Sequence, residues 1–204
     1  MPLNFKFQNK KFNTIDICGL IKKIGEIEHK RTVIETRTAE LENLIGVLDK
    51  NADYHFISVT GGFDCVNFID FIAKREHVEK MLIATLRVGD TEIKHIGELC
   101  DKGLIDSVDF VVSKTFARVD KKYKYFNFLK ETAQPRNWKI AVVNNHSKVI
   151  LFKTKENYYV LETSANLNTN VKLEQFSLIC SKELWEFYND FYGEIIKGSG
   201  LCES

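Results

Sequence analysis

The chain has 204 residues, of which 44% are hydrophobic, and its 29 Lys and Arg residues against 28 Asp and Glu give a net charge of +1. This composition excludes a disordered or collagen-like chain, and the length allows a sizeable core. No apolar run reaches the roughly 20 residues of a membrane-spanning helix, and the first residues lack the apolar core of a signal peptide. The sequence therefore predicts a globular, cytoplasmic protein with no membrane partner.

Residues 1–50 are predicted to form a largely helical extension that packs on the main domain. Two stretches in this region place apolar residues at helical spacing, namely Ile17, Leu20, Ile21 and Ile24, and then Leu41, Leu44, Ile45 and Leu48. Between them the segment HKRTVIETR, residues 29–37, fits either a helix or a strand. No Gly-, Ser- or Pro-rich linker separates this region from the rest of the chain.

Residues 51–198 are predicted to form an α/β domain, followed by a flexible tail over 199–204. Short apolar runs alternate here with amphipathic helical runs, which is typical of this fold class. Strands are predicted at 54–60, 79–88 and 107–116, and helices at 64–75, capped by Asp64, and at 91–102.

The second half of this domain begins with a basic, aromatic helix over residues 120–133, which should end before Pro135. Three closely spaced strands follow, WKIAVVN, KVILFKT and YYVLETS, and the last two are joined by a hairpin-like KEN turn. A last helix follows Ser181, and its apolar stripe is predicted to pack on the sheet: Leu184, Phe187, Tyr188, Phe191 and Ile195.

Polar side chains stand at the ends of two neighbouring predicted strands. His146 and Lys148 precede one strand, and Ser164 and Asn166 end the next. Because alternate residues of an extended segment point to the same face, the members of each pair should project together. A neutral imidazole can attack phosphorus, while an ammonium, a hydroxyl and an amide beside it can bind phosphoryl oxygens. Glu174 lies shortly beyond, so a phosphate-handling site is predicted here.

This order of residues resembles the phospholipase D superfamily, whose signature is HxK, four residues, Asp, about six residues and then Gly-Ser-x-Asn. The resemblance covers residues 146–166 in detail and residues 54–197 in general layout. Lys153 stands in place of the signature aspartate, and Thr163 in place of the glycine. The resemblance implies a phospholipase D-like α/β/α sandwich with a mixed sheet, and an attack on a phosphodiester that requires neither metal nor cofactor.

The resemblance also implies the role of each residue. The histidine, here His146, forms a phosphohistidine, and a second histidine from another copy of the motif protonates the leaving group. Glu174 resembles the carboxylate that holds the histidine by a hydrogen bond in members with one motif. Since only one HxK triplet occurs in this chain, the resemblance implies a homodimer in which two copies of His146 face one phosphate, with Lys148 and Asn166 of each chain on its oxygens.

Between Lys114 and Lys139 eight basic residues stand against only Asp120 and Glu131, which fits either a solvated surface or a rim that binds a polyanion. The tyrosines among them either stack on bases or pack a helix on the sheet. Five residues of this region are candidate substrate ligands: Lys114, Arg118, Lys121, Lys122 and Lys124. These features favour a nuclease acting on nucleic acid. The alternative, suggested by Lys153 and Thr163, is a catalytically inactive nucleic-acid-binding or scaffold protein.

Overall fold

The computed structural model describes residues 26–59, 62–119, 124–168 and 172–199. Over these residues the helices are α1 (Glu26–Ile45), α2 (Cys65–Ala73), α3 (Asp90–Asp101), α4 (Lys114–Val119), α5 (Tyr125–Ala133) and α6 (Lys182–Gly198). The strands are β1 (Tyr54–Ser58), β2 (Val78–Thr85), β3 (Val108–Ser113), β4 (Lys139–Val143), β5 (Val149–Thr154), β6 (Tyr158–Thr163) and β7 (Glu174–Cys180). The helical pattern predicted at 17–24 lies outside the described residues.

The seven strands form one mixed sheet in the order β1-β7-β6-β5-β2-β3-β4. Strands β2, β3 and β4 run parallel because helices connect them, whereas β5, β6, β7 and β1 pair antiparallel. The predicted KEN turn is confirmed, since the backbone N–H of Thr154 donates to the Asn157 carbonyl at 2.9 Å. The mixed sheet that the sequence predicts is therefore present.

Helices cover both faces of the sheet, which gives three layers. In β2, Met81 and Ile83 belong to the larger core under α1, α2, α3 and α5, and Leu82 and Ala84 belong to the smaller core under α6. All four side chains are buried, as expected for a central strand covered on both sides. The predicted α/β/α sandwich is thus confirmed. None of the described helices is both long enough and apolar enough to cross a membrane.

One predicted element boundary is wrong, and a second is confirmed although the reason given for it is not. Strand β3 ends at Ser113 and not at Phe116, because the Ser113 hydroxyl accepts a hydrogen bond from the Thr115 N–H at 3.1 Å and the next six residues form α4. Helix α5 ends at Ala133 as predicted, but Gln134 keeps helical dihedral angles, and a 3₁₀ turn, Gln134–Arg136, follows. The ambiguous segment 29–37 is helical and lies within α1.

The predicted inward stripe of α6 is also partly wrong. Trp185 and Tyr192 are the buried residues of this helix, whereas Phe187 and Phe191 are exposed. Trp185 and Tyr192 lie seven residues apart, which aligns them within two turns on one line of the helix. Leu184, Tyr188 and Ile195 flank this line and are only partly buried. The predicted capping by Ser181 is confirmed, because its side chain accepts a hydrogen bond from the Leu184 N–H.

Candidate active site

The segment that carries His146 crosses the ends of two strands on its way from β4 to β5. Asn145 fixes this crossing, since its amide Nδ2 donates to the carbonyls of Thr85 at 3.1 Å and Val111 at 2.9 Å. Its Oδ1 accepts from the backbone N–H of Ser147 at 2.9 Å and from the Ser147 hydroxyl at 2.5 Å. Both donor hydrogens and both acceptor positions of this nearly buried side chain are therefore used.

His146 and Lys148 project from this segment and contact each other. The Lys148 Nζ donates to the His146 carbonyl at 2.8 Å and lies 3.1 Å from the ring atom Nδ1. Because an ammonium can only donate, Nδ1 accepts here, which places the imidazole proton on Nε2. His146 is exposed and Lys148 is half-buried. An imidazole lone pair and an ammonium group therefore face one point at the open edge of the sheet.

Ser164, the residue after β6, contacts Glu174, the first residue of β7. The Ser164 hydroxyl donates to the Glu174 carboxylate and accepts a hydrogen bond from the Gln175 N–H at 3.1 Å. Asn166 lies two residues after Ser164, and its Oδ1 is buried with no hydrogen-bond partner among the described residues. Leaving a buried amide oxygen without a hydrogen bond costs about 1–3 kcal/mol. A ligand that donates a hydrogen bond to this oxygen would remove the cost. With the amide flipped, its NH₂ group would instead donate to an acceptor atom of the ligand.

The two pairs lie side by side at one edge of the sheet. The backbone N–H of Thr163 donates to the Lys148 carbonyl at 3.1 Å, which joins the end of β6 to the start of β5. Burial lowers the pKa of the Lys148 ammonium, and the nearby Glu174 carboxylate acts in the opposite direction. The structure therefore brings together His146, Lys148, Ser164 and Glu174, the residues that the sequence singled out.

Two further residues hold this arrangement in place and were not found from the sequence. Thr85, at the end of β2, accepts from Asn145 through its carbonyl and from the Leu167 N–H through its hydroxyl at 3.3 Å. Tyr192 of α6 donates its hydroxyl hydrogen to the Ser147 hydroxyl at 2.8 Å. Thr85 thus connects the His146 segment to the Asn166 segment, and no sequence pattern marks either residue.

The two departures from the family signature have structural partners away from His146. Lys153 pairs with the Glu79 carboxylate at 2.9 Å, and its five-residue distance from Lys148 along an extended segment is about 17 Å. The Thr163 hydroxyl donates to the Gln175 carbonyl at 2.7 Å and accepts from the Ala165 N–H at 3.0 Å. Thr163 therefore shapes the turn that carries Ser164.

Helix α2 begins behind this site and contributes two buried groups. Asp64 caps the helix, and burial raises the pKa of its carboxyl group. The Cys65 thiol lies 3.6 Å from the Ala165 carbonyl oxygen, and burial raises its pKa well above the ordinary value. Since the thiolate is the reactive form of cysteine, Cys65 packs against the site but is a poor nucleophile.

The candidate substrate ligands lie partly within the described residues. Lys114 begins α4 directly after β3, at the same edge as His146, and it is exposed together with Arg118 and Lys124. Lys121 and Lys122 lie outside the described residues. The aromatic residues of α5, Tyr125, Phe126 and Phe128, are partly buried against the larger core, which favours the packing role for them.

No protein-family model matches the sequence, and no curated protein matches it. Several solved structures, in contrast, match the structure of this chain. Polyphosphate kinase from Porphyromonas gingivalis aligns over 75% of this chain with 16% identity and a TM-score of 0.56, and the chain spans only 27% of that kinase. Phosphatidylserine synthase from Haemophilus influenzae aligns over 70% of this chain and 37% of its own, with 14% identity and a TM-score of 0.49.

A third match is TrmBL2, an archaeal chromatin protein with a novel mode of DNA binding, which aligns over 90% of this chain and 67% of its own, with 10% identity and a TM-score of 0.48. At such identities the comparison concerns the fold alone. The kinase match, the strongest of the three by TM-score, has a phospholipase D superfamily fold. Together with the mixed sheet and the three layers, it shows that this chain has a phospholipase D-like fold.

Proposed function

We propose that the protein is a phosphodiesterase of the phospholipase D type that cuts nucleic acid without a metal ion. The observation that carries this proposal is the exposed imidazole of His146 with the Lys148 ammonium 3.1 Å from its Nδ1, beside the hydrogen-bonded pair Ser164 and Glu174. A phosphate oxygen bound at this point would replace the ring as the acceptor of the ammonium. The imidazole lone pair would then face phosphorus.

The reaction proceeds in two steps, the formation of a phosphohistidine and its hydrolysis. A ring nitrogen of His146 attacks phosphorus, a P–N bond forms, and the bond from phosphorus to the leaving oxygen breaks. That oxygen takes a proton from the His146 imidazolium of a second copy of the chain. The second imidazole, now neutral, removes a proton from water, and the resulting hydroxide breaks the P–N bond. Lys148, with Asn166, stabilises the charge that builds on the phosphoryl oxygens.

The protonation states require both copies of the site. One imidazole must be neutral to attack and the other must be charged to donate, and two coupled histidines around one phosphate can divide the proton in this way. One chain supplies a single HxK triplet, so we infer a homodimer with a shared site.

Nucleic acid is the proposed substrate because of the charge at the site edge. Lys114 and Arg118 are exposed on α4, which begins where β3 ends, and Lys124 precedes α5. Cationic side chains at this position can bind the phosphates that flank the cleaved bond. The aromatic residues of α5 contribute packing to the core, so recognition through the backbone phosphates is expected to dominate over stacking on bases.

The decisive experiment is cleavage of labelled single- and double-stranded DNA and RNA in the presence of EDTA. We expect the wild-type protein to cut at least one of these substrates and His146→Ala to lose about a hundredfold or more in rate. The matched control is His55→Ala, because His55 is also an exposed histidine on the sheet, hydrogen-bonded at 2.9 Å to Ser177 between β1 and β7.

A covalent intermediate gives a second readout of the same proposal. Phosphohistidine survives alkali and is lost in acid, so an alkaline quench followed by mass spectrometry should find a nucleotide on the peptide that contains His146. Equal cleavage by His146→Ala, or no cleavage by the wild-type protein, refutes the enzyme. Binding of nucleic acid without cleavage would instead establish the inactive, nucleic-acid-binding alternative.

A further inference from the structure

Two phenylalanines lie on the outer surface of helix α6. Phe187 and Phe191 are 66% and 60% exposed, and their four-residue spacing makes them neighbours on the helix surface. Their rings pack edge-on against Tyr188 and Tyr192, with centroids 5.1 Å and 5.3 Å apart. Phe187 and Phe191 therefore form one apolar surface, which we call the aromatic ridge.

Carboxylates border the aromatic ridge along its length. Four acidic residues occupy exposed positions of α6, each three or four residues from a ridge phenylalanine or from another of the four: Glu183, Glu186, Asp190 and Glu194. Two lysines near the ends of the helix pair with two of them, Lys182 with Glu186 at 3.5 Å and Lys197 with Glu194 at 2.8 Å. Four carboxylates against two lysines leave α6 with a net charge of −2. This surface repels a polyanion, and it fits a partner that combines apolar rings with positive charge.

The chain itself contains a segment with this composition. Residues 5–12, FKFQNKKF, include three lysines, three phenylalanines and no acidic residue, and they lie outside the described residues. A second basic, aromatic stretch of the chain is excluded as the partner. Its residues Tyr125, Phe126 and Phe128 pack on the larger core, on the face of the sheet opposite α6.

Helix α1 brings residues 5–12 to the edge of the sheet that carries the active site. The Asn67 side chain, in the first turn of α2, donates to the Ile34 carbonyl of α1 at 3.1 Å. Arg75, just beyond the end of α2, pairs with Glu42 at 3.0 Å. The two helices therefore run in the same direction. From Ile34 back to Glu26, α1 continues for about 12 Å, which takes its first turns past the start of α2 at this edge.

The path from the start of α1 to the aromatic ridge crosses the active-site edge. The ridge reaches this edge, because Tyr192, next to Phe191, donates to Ser147 at 2.8 Å. Layers packed about 10 Å apart separate the two helix layers of the sandwich by about 20 Å. Residues 13–25 span up to about 43 Å when extended, and about 28 Å if residues 17–24 are helical as predicted. Both lengths are sufficient for the crossing.

We propose that residues 5–12 dock on the aromatic ridge of the same chain, with phenylalanines against Phe187 and Phe191 and lysines against the acidic border. Residues 13–25 then cross the edge of the sheet in front of His146 and form a strap that covers the active site. Regulation of cleavage by this strap rests on the proposed function, whereas the docking does not.

The first test is cross-linking of the full chain with a carbodiimide, which condenses a lysine amine and a carboxylate into an amide and takes up the water released. Peptide mass spectrometry should find amide bonds between Lys10 or Lys11 and Asp190 or Glu194. In an equilibrated mixture of ¹⁵N-labelled and unlabelled protein, these bonds should join peptides that carry the same label. A mixed-label bond would place the segment on another chain and overturn the inference, as would the absence of any bond from residues 5–12 to α6.

The second test removes the two rings of the ridge and keeps its carboxylates. Phe187→Ser with Phe191→Ser should lose the cross-links, because losing the burial of two phenylalanines weakens docking about a hundredfold or more. The matched control is Leu44→Ser with Val47→Ser, since these residues are 65% and 91% exposed near the end of α1. The control should keep the cross-links.

Circular dichroism shows whether the ridge variant is folded, and Phe187→Ala with Phe191→Ala replaces it if it is not. Equal cross-linking in the ridge variant and the wild-type protein overturns the ridge as the docking site.

Cleavage of nucleic acid separates this inference from the proposed function. Because a docked strap leaves only a small fraction of sites open, the ridge variant should have a kcat/KM about tenfold or more above that of the wild-type protein. An active wild-type protein whose kcat/KM the substitutions leave unchanged overturns the strap. Cross-links without cleavage by either protein uphold the docking and refute the enzyme, and cleavage without cross-links does the reverse.

Discussion

At the scale of single residues, Thr85 has the most informative position. Its carbonyl and its hydroxyl are used by different segments, one residue before His146 and one residue after Asn166. The side chain is 2% exposed, so its geometry is set by packing. Thr85 is therefore expected to act on catalysis by fixing the distance between the two halves of the site, without touching the substrate.

We expect Thr85→Val to lower kcat of nucleic-acid cleavage about five- to tenfold with little change in KM, because one hydrogen bond of about 1 kcal/mol that orients the site is lost. Thr85→Ser, which keeps the hydroxyl, should restore most of the rate. The control is Thr38→Val, since Thr38 is an equally buried threonine whose hydroxyl donates to the Ile34 carbonyl and accepts from Asn67 of α2. A rate loss as large in Thr38→Val would mean that general destabilisation, and not positioning, is responsible.

The charge balance around Lys148 has a measurable consequence for pH dependence. Burial lowers the pKa of this ammonium, and Glu174 partly offsets the shift by favouring the charged form. Removing the carboxylate charge in Glu174→Gln should therefore lower the pKa of Lys148 further. The alkaline limb of the kcat/KM profile should move to lower pH, and ¹³C NMR of the Lys148 side chain should show the same direction. A shift to higher pH would contradict the assigned interaction.

Part of the site could be predicted from local spacing. His146 and Lys148 lie two residues apart in an extended segment, and alternate side chains of such a segment share a face, so their contact follows from the sequence. Thr85 and Tyr192 could not be found in this way, because only the folded sheet and α6 bring them to Asn145 and Ser147. Their separations in the chain, 60 residues from Thr85 to Asn145 and 45 from Ser147 to Tyr192, exceed any local pattern.

At the scale of elements, the start of α2 shows how one residue stabilises a helix behind the site. The Asp64 side chain accepts from the Val66 N–H at 3.1 Å, while the Asp64 N–H donates to the Asn67 side chain at 2.8 Å. This reciprocal pair is a capping box. It also anchors the helix whose first residue, Cys65, packs against the turn before Asn166.

We expect Asp64→Ala to lower the free energy of unfolding by about 1 kcal/mol, as the loss of an N-cap acceptor commonly does. Asp64→Asn should remain close to the wild-type protein, because its amide oxygen can accept the same hydrogen bond and burial disfavours the charged carboxylate at this position. Urea denaturation measures both values. Equal destabilisation by the two substitutions would show that the charge, with Arg37 at 3.6 Å, matters more than the cap.

Most helices and strands could be predicted because their periodicity is local, and the errors arise where tertiary contacts decide. Three residues of the stripe predicted on α6 do pack against the sheet side, namely Leu184, Tyr188 and Ile195. Phe187 and Phe191, however, are as apolar as the buried Trp185 and Tyr192. Periodicity alone therefore could not tell which of two adjacent apolar lines faces the sheet. The end of β3 was misjudged for a related reason, since the Ser113 hydroxyl starts a helix in a segment of strand-like composition.

At the scale of the whole molecule, the order of the strands was beyond the reach of sequence periodicity. An alternation of apolar runs predicts that strands exist but carries no information on which of them are neighbours. In the fold, helices connect β2, β3 and β4 into a parallel half of the sheet. The other half is antiparallel and consists of β5, β6, β7 and, at its end, β1. The two halves meet between β2 and β5, and the His146 segment crosses the sheet edge close to this boundary.

The proposed dimer predicts that stability depends on protein concentration. Since association stabilises only the folded chains, the Tm of the wild-type protein should rise as the concentration is raised. A Tm of the wild-type protein that does not change over a hundredfold range of concentration would contradict the proposed homodimer.

The pairing of β1 with β7 also has a consequence for the synthesis of the chain. His55 and Ser177, which face each other across these strands, are 122 residues apart. At a translation rate of about 5–20 residues per second, β1 leaves the ribosome roughly 6–24 s before its partner has been made. During this interval β1 has no partner strand, and the unpaired N–H and C=O groups along its edges can bind another chain. The first strand of the sheet to be synthesised therefore pairs only after the last strand has been made.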